Sequence, residues 1–173
     1  LVPNGEKQSL INLVEGNKNL VVIRSLTKLF SIPGLRLGYA IGDPIRLMKW
    51  SQMRDPWPLN GIAIAAGEKI MSDTSSLNKW INKIQKWIAK EGAWLYSQLK
   101  DLPDIKPLPS STNFMLIKGD YSLIELRNKI ATNNILLRDC SSFKGLNENY
   151  LRISLQKRKN NQKIITTLRE SMK

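Results

Sequence analysis

Histidine is absent from the 173 residues, and cysteine occurs once, at Cys140. The first absence excludes Ser-His and Cys-His hydrolases, because no imidazole remains to take the proton from a hydroxyl or thiol. With one thiol and no imidazole a zinc site lacks its usual ligands, and no metal centre is expected. A lone cysteine also forbids an internal disulfide, which fits a reducing, cytoplasmic setting. Long apolar runs are missing too. None approaches the about 20 residues of a membrane span, so no membrane partner is expected. No G-x-x-x-x-G-K-[ST] loop is present to cradle a nucleotide. Leu1-Val2-Pro3-Asn4-Gly5 has neither an initiator Met nor a charged-then-apolar signal pattern, and no targeting peptide is read from it.

Acidic residues are scarce. Asp and Glu number 14 against 27 Lys and Arg, a formal charge of +13. That balance permits acidic partners. The basic residues are spread along the chain, however, and the densest cluster is Gln156-Lys157-Arg158-Lys159. No aromatic residues interleave with it to stack on bases. It reads as solvated surface, and no nucleic-acid partner is expected. A basic binding module without catalysis remains a rival reading that rests on the charge alone.

What is present alternates between strand and helix signals. Residues 1–19 are polar and loop-like. Leu20-Val21-Val22-Ile23 is a β-branched apolar run that predicts a buried strand. Pro33-Gly34 marks a turn, and residues 35–41 predict a second strand. Asp43 then caps, and Pro44 opens, a helix running to Trp50. Pro56 and Pro58 bar the next segment from helix. Residues 61–71, small and apolar, predict a close-packed buried helix. Asp73-Thr74-Ser75-Ser76 offers caps for a long helix over residues 76–100. Its Leu77, Trp80, Ile84, Trp87, Ile88, Trp94 and Leu95 form a broad apolar stripe. Glu91 and Gln98 interrupt a coiled-coil seam, so packing against a sheet or neighbouring domain is expected instead. Residues 101–111, with Pro103, Pro107 and Pro109, read as an extended connection. Beyond them, strands at 113–117, 135–138 and 150–155 alternate with helices at 122–133 and 160–172. The boundary falls near Asp73, separating residues 1–73 from a small α+β domain at 74–173 that begins with the long helix.

The chemistry-bearing stretch follows the first strand: Arg24-Ser25-Leu26-Thr27-Lys28, then Ile32-Pro33-Gly34-Leu35-Arg36-Leu37-Gly38-Tyr39. A lysine amine can condense with an aldehyde. Ser25 and Arg36 can grip a phosphate through hydroxyl and guanidinium hydrogen bonds. Pyridoxal 5'-phosphate carries both groups. The stretch resembles the cofactor-lysine segment of fold-type I pyridoxal-phosphate enzymes, the class I/II aminotransferase superfamily. Within it the chain is most similar to the threonine-phosphate decarboxylases of cobalamin biosynthesis, with the histidinol-phosphate aminotransferases close behind.

That resemblance implies an α/β fold of fold-type I, of which this chain is the C-terminal part. Residues 1–73 would belong to the large, mixed-sheet cofactor domain and 74–173 to the linking helix and small α+β domain. It implies Lys28 as the catalytic, cofactor-binding lysine, with Ser25 and Arg36 as phosphate ligands. Thr27 either joins them or shapes the loop. Arg138 and Arg152, 14 residues apart, are implied as ligands of substrate anions, Arg152 for the α-carboxylate. Asn60, after Trp57-Pro58-Leu59, either approaches the active site or caps the following helix. The implied activity is decarboxylation of L-threonine O-3-phosphate to an aminopropanol phosphate; the alternative is transamination of histidinol phosphate with 2-oxoglutarate. A homodimer is implied as well. The superfamily's ring-nitrogen aspartate, stacked aromatic and phosphate-binding glycine helix lie upstream of its lysine, and neither Glu6 nor Glu15 matches them. The polypeptide alone is therefore expected to lack turnover.

Overall fold

The computed structural model describes Val2 and residues 5–172. Residues 5–84 and 85–172 form two compact units, and each carries its own sheet.

In the N-terminal unit, the stretch read as loop contains two short 3-10 helices, Gly5–Gln8 and Leu10–Leu13. Strand β1 (Val22–Ser25) pairs antiparallel with β2 (Gly38–Ile41), setting Ser25 opposite Gly38. Glycine is needed there because an added Cβ would lie 2.7 Å from the Arg24 carbonyl oxygen. The buried strand predicted from residues 20–23 is not buried: Ile23 is 78% exposed. The sheet has two strands, and Tyr39 of the second is 40% exposed as well. Helix α1 (Pro44–Gln52) starts as its cap predicts, with Asp43 Oδ1 accepting from the Arg46 amide at 2.9 Å. Helix α2 (Gly61–Met71) has the predicted bounds but not the predicted burial. Only Ala63 reaches the small core with Leu26 and Leu37, while Ile62 stays 72% exposed.

Helix α3 (Thr74–Lys100) opens with Asp73 Oδ1 accepting from the Ser76 amide at 3.0 Å and runs on into the C-terminal unit. Its buried seam there is Ile88, Glu91, Leu95 and Leu99, spaced three or four residues apart as one helical face requires. Trp87 and Trp94 are only half-buried beside it. The C-terminal sheet is antiparallel throughout, in the order β3-β4-β6-β5. Strand β3 (Ile105–Pro107) lies within the segment read as a connection, and its Pro107 is tolerated because β3 is an edge. Strand β4 (Phe114–Gly119), helix α4 (Ile124–Ala131), strand β5 (Arg138–Asp139), strand β6 (Tyr150–Ser154) and helix α5 (Arg158–Ser171) follow.

The two-residue side-chain period sorts this sheet. Met115 faces Ile153 and Ile117 faces Leu151 across β4 and β6, all of them buried. Leu126 and Ile130 of α4, Ile165 and Leu168 of α5 and the α3 seam are the other buried apolar residues of this unit's helices. The alternate row carries Leu116, Arg152 and Arg138. Strand β5 is shorter than the predicted 135–138. Residues 135–137 keep a strand-like alternation, with Leu136 80% exposed between buried Ile135 and Leu137, but they do not join the ladder. Among the described residues no helix is long and apolar enough to cross a membrane.

Candidate functional site

Strand β1 ends at Ser25, and the chain then turns back toward β2 over residues 26–37. Four backbone bonds set that turn: Leu26 N to Leu37 O at 3.1 Å, Phe30 N to Leu26 O at 3.1 Å, Ile32 N to Thr27 O at 2.9 Å and Leu35 N to Ile32 O at 3.2 Å. Leu26 and Leu37 are buried with Ala63, and Phe30, Ile32 and Leu35 pack against them. With the apolar residues drawn inward, Lys28 is left exposed.

Lys28 Nζ donates to Ser25 Oγ at 3.2 Å, and Ser25 Oγ shares a hydrogen bond with Thr27 Oγ1 at 2.9 Å. Thr27 is buried, at 5% exposure. Amine and hydroxyls thus form one continuous polar array. Arg36 does not join it among the described residues; its Nη1 donates to the Pro33 carbonyl at 3.4 Å, a long contact. Ser31 (φ 55°) and Arg36 (φ 51°) both sit in the left-handed region, which costs a residue with a Cβ about 1 kcal/mol or more. Backbone strain therefore flanks the lysine on its C-terminal side. Asn60 Oδ1 accepts from the Ala63 amide at 2.8 Å and caps α2, one of the two roles its sequence position offered.

Arg24 carries no sequence-assigned role, yet it anchors the strand that delivers Ser25. Its guanidinium donates to Glu6 at 2.8 and 3.1 Å and to Ser9 Oγ at 2.7 Å. That hydrogen bond from Arg24, more than any charge effect, holds the Glu6 carboxyl below its ordinary value. Nothing in the spacing of Glu6 and Arg24 announces the pair, since 18 residues separate them.

In the C-terminal unit, Arg138 and Arg152 stand directly opposite each other on β5 and β6. The Arg152 guanidinium lies 4.9 Å from the Phe114 ring centroid, and its buried Nε has no partner among the described residues. Arg138 donates from Nη2 to Ser142 Oγ at 3.2 Å and lies over Phe143 at 5.6 Å. Like charges placed opposite across a ladder repel. The neighbouring carboxylate, Asp139, is engaged by the Ser141 amide and hydroxyl, the chief reasons its pKa is lowered. Both arginines line an open pocket of about 430 Å³, together with Ser154, Asn160 and Lys163. An anion is the ligand such a lining accommodates. Cys140 is 1% exposed, and burial pushes its thiol upward, which suits packing rather than nucleophilic work.

The N-terminal unit thus holds an exposed amine beside two hydroxyls, and the C-terminal unit a pocket lined by two arginines. Residues 2–168 match the family described as Aminotransferase class I and II, and the chain belongs to that family. It has the fold-type I architecture over the part it spans. Threonine-phosphate decarboxylase of Salmonella typhimurium is 32% identical over 160 residues, which cover 92% of this chain and 43% of that protein. The crystal structure of L-threonine-O-3-phosphate decarboxylase from Porphyromonas gingivalis is similar with a TM-score of 0.82 and 30% identity, over 94% of this chain and 49% of that one. Histidinol-phosphate aminotransferase from Clostridium acetobutylicum gives a TM-score of 0.85 and 26% identity, over 95% of this chain and 49% of that one. The chain thus spans about half the length of these relatives, or somewhat less. Members of the family are enzymes dependent on pyridoxal phosphate. The donor set around Lys28 fits that group: a primary amine suits the aldehyde, and the hydroxyls beside it suit the phosphate.

Proposed function

We propose that this chain supplies the cofactor lysine and the substrate-anion arginines of a pyridoxal-phosphate enzyme acting on a phosphorylated amino acid, namely decarboxylation of L-threonine O-3-phosphate. The observation that carries the reading is the Lys28–Ser25–Thr27 array, with 3.2 and 2.9 Å between successive polar atoms. The similarity to two threonine-phosphate decarboxylases, at 32% and 30% identity, supports the substrate. Residues 1–73 would form the C-terminal part of the cofactor domain, and 74–173 the linking helix and small domain. A cytoplasmic homodimer is part of the proposal.

When bound, the cofactor would supply an electron-poor ring that accepts the pair left as a bond at the substrate α-carbon breaks. Lys28 would hold the aldehyde through its amine. Lys28 Nζ would carry the proton that replaces the departing CO2 at the substrate α-carbon. Ser25 Oγ accepts from that amine and would keep it from swinging into solvent. Ser25, Thr27 and Arg36 would bind the cofactor phosphate, Arg36 after turning from the Pro33 carbonyl. Arg152, with its Nε unpartnered, would take the substrate carboxylate in the fork geometry a guanidinium offers, and Arg138 a second anionic group. Asn60 would contribute a polar contact from the start of α2.

Incubation with pyridoxal phosphate, borohydride reduction and peptide mapping test the reading. Label on Lys28, absent from Lys28→Ala, is the expected result; label spread evenly over the lysines would overturn it. A second reading, histidinol-phosphate aminotransferase, is favoured by the TM-score of 0.85 to such an enzyme. Assay of the full-length protein with each substrate separates the two: CO2 release supports the first, and glutamate-dependent transamination the second.

A further inference from the structure

Trp80 contacts the lysine turn from a position 51 residues away in sequence. Its indole Nε1 donates to the Leu29 carbonyl at 2.9 Å. Its ring stacks on Phe30, with centroids 6.5 Å apart and planes 12° from parallel. These two residues follow Lys28 directly. The Leu29 carbonyl has no other hydrogen-bond partner among the described residues, and the next residue, Ser31, is in the left-handed region at φ 55°. The turn's own backbone bonds leave the Leu29 carbonyl unpaired, and Trp80 supplies its partner.

We propose that Trp80 is a positioning residue for Lys28: its indole fixes the Leu29 carbonyl and the Phe30 ring so that the lysine amine stays beside Ser25. The proposal rests on the reading of Lys28 as the cofactor lysine. The physical case is one of freedom. A lysine side chain has four carbons and about 2 kcal/mol of rotamer entropy to lose. One hydrogen bond of 3.2 Å to Ser25 does not hold such a chain unless its Cα is already placed. Backbone bonds fix Leu26 and Thr27 on the upstream side. Downstream, the Phe30 and Ile32 amides bond back to Leu26 and Thr27, and Trp80 adds two independent contacts, one polar to the Leu29 carbonyl and one apolar to the Phe30 ring. Indole can only donate, so the hydrogen bond has a single sense and phenylalanine removes it while leaving a ring to stack. Lys83 Nζ, 5.7 Å from the Trp80 ring centroid, leaves that indole donor to Leu29.

Trp80→Phe in the intact chain is the test. Pyridoxal phosphate is trapped with borohydride across a range of pH, and labelling of Lys28 is expressed as a ratio to exposed Lys144 in the same molecules. A purely structural role for Trp80 lowers the melting temperature but leaves the ratio in folded protein unchanged. The expected result is a ratio lowered by about three- to tenfold, the effect of one lost hydrogen bond. A variant ratio equal to that of a selective wild type overturns the positioning role and leaves the cofactor-lysine reading intact. A wild type with no preference for Lys28 overturns that reading and the proposal with it. If Trp80→Phe does not fold, exchange of the indole N–H in wild type decides. Exchange at least about tenfold slower than at Trp57, which is 89% exposed, supports the bond to Leu29, and equal rates refute it.

Discussion

Glu91 accepts two hydrogen bonds from the Arg158 guanidinium, at 2.9 Å from Nε and 3.1 Å from Nη2, although Glu91 is 5% exposed. Asn161 adds a weak third at 3.4 Å, and the Arg158 guanidinium lies 4.3 Å from the Trp94 ring centroid. Glu91, one of the two residues that interrupt a coiled-coil seam on α3, thus ties that helix to the start of α5. Removing the carboxylate leaves Asn161 and Arg158 short of an acceptor. The Arg158 side chain is 37% exposed and regains water, so the cost falls below that of a fully buried pair. Glu91→Ala is expected to destabilise the chain by about 2 kcal/mol in urea unfolding, and Glu91→Gln by roughly half of that.

The same pair sets a pH dependence. Hydrogen bonding from Arg158 is the largest cause holding the Glu91 carboxyl below its ordinary 4.5. A carboxyl lowered in the folded state binds fewer protons there than when unfolded. Its contribution is therefore complete above pH 4.5 and is lost as pH falls from there through the lowered value. Unfolding midpoints are expected to be level between pH 7 and 5 (roughly) and to fall below that, with a shallower fall in Glu91→Gln.

Arg138 and Arg152 stand opposite each other on β5 and β6, and an anion bound between them would relieve their like-charge repulsion. Phosphate at ten times its dissociation constant is expected to stabilise the wild-type chain by about 1.4 kcal/mol, and Arg152→Ala by nothing measurable. Equal stabilisation of both proteins in thermal melts would remove Arg152 from the anion site.

Ser25→Ala removes the acceptor of the Lys28 amine and a hydroxyl assigned to phosphate. The advantage of pyridoxal phosphate over pyridoxal in reductive trapping at Lys28 is expected to shrink by about tenfold, as loss of one charge-assisted hydrogen bond implies. An unchanged ratio would place the phosphate elsewhere.

Gly38→Ala puts a methyl 2.7 Å from the Arg24 carbonyl oxygen, a backbone atom that cannot rotate away. The strands must part or the ladder shift. A loss of about 2 kcal/mol is expected, together with loss of selective labelling at Lys28, because Ser25 is the residue opposite Gly38.

Caps and punctuation were legible in the sequence, and burial was less so. Asp43 accepts the amide expected of it, Asn60 takes the cap that is one of its two readings, and Asp73, one of four candidates, caps a helix that starts at Thr74 rather than residue 76, because a cap is a contact between near neighbours in the chain. Helix α2 begins and ends at the predicted residues for the same reason. Its burial was misjudged because apolar composition does not say whether anything lies above the helix, and here only Ala63 is covered. Of the apolar stripe of α3, Ile88 and Leu95 are buried while Trp87 and Trp94 are half-buried, because their rings are too large to be covered fully from one side. The lysine loop was legible from residue types in order. Its supports, Glu6, Ser9 and Trp80, were not, because each reaches it across 15 to 51 residues with no local pattern. Strand β3 was hidden by three prolines, of which only Pro107 lies in the ladder.

Cys140 offers a built-in gauge. As the molecule's sole sulfhydryl, shut within the C-terminal unit at 1% exposure, it can meet an alkylating reagent only when its surroundings breathe open. Reaction kinetics would then clock fluctuations of that half alone, with no engineered probe and no signal from the lysine loop.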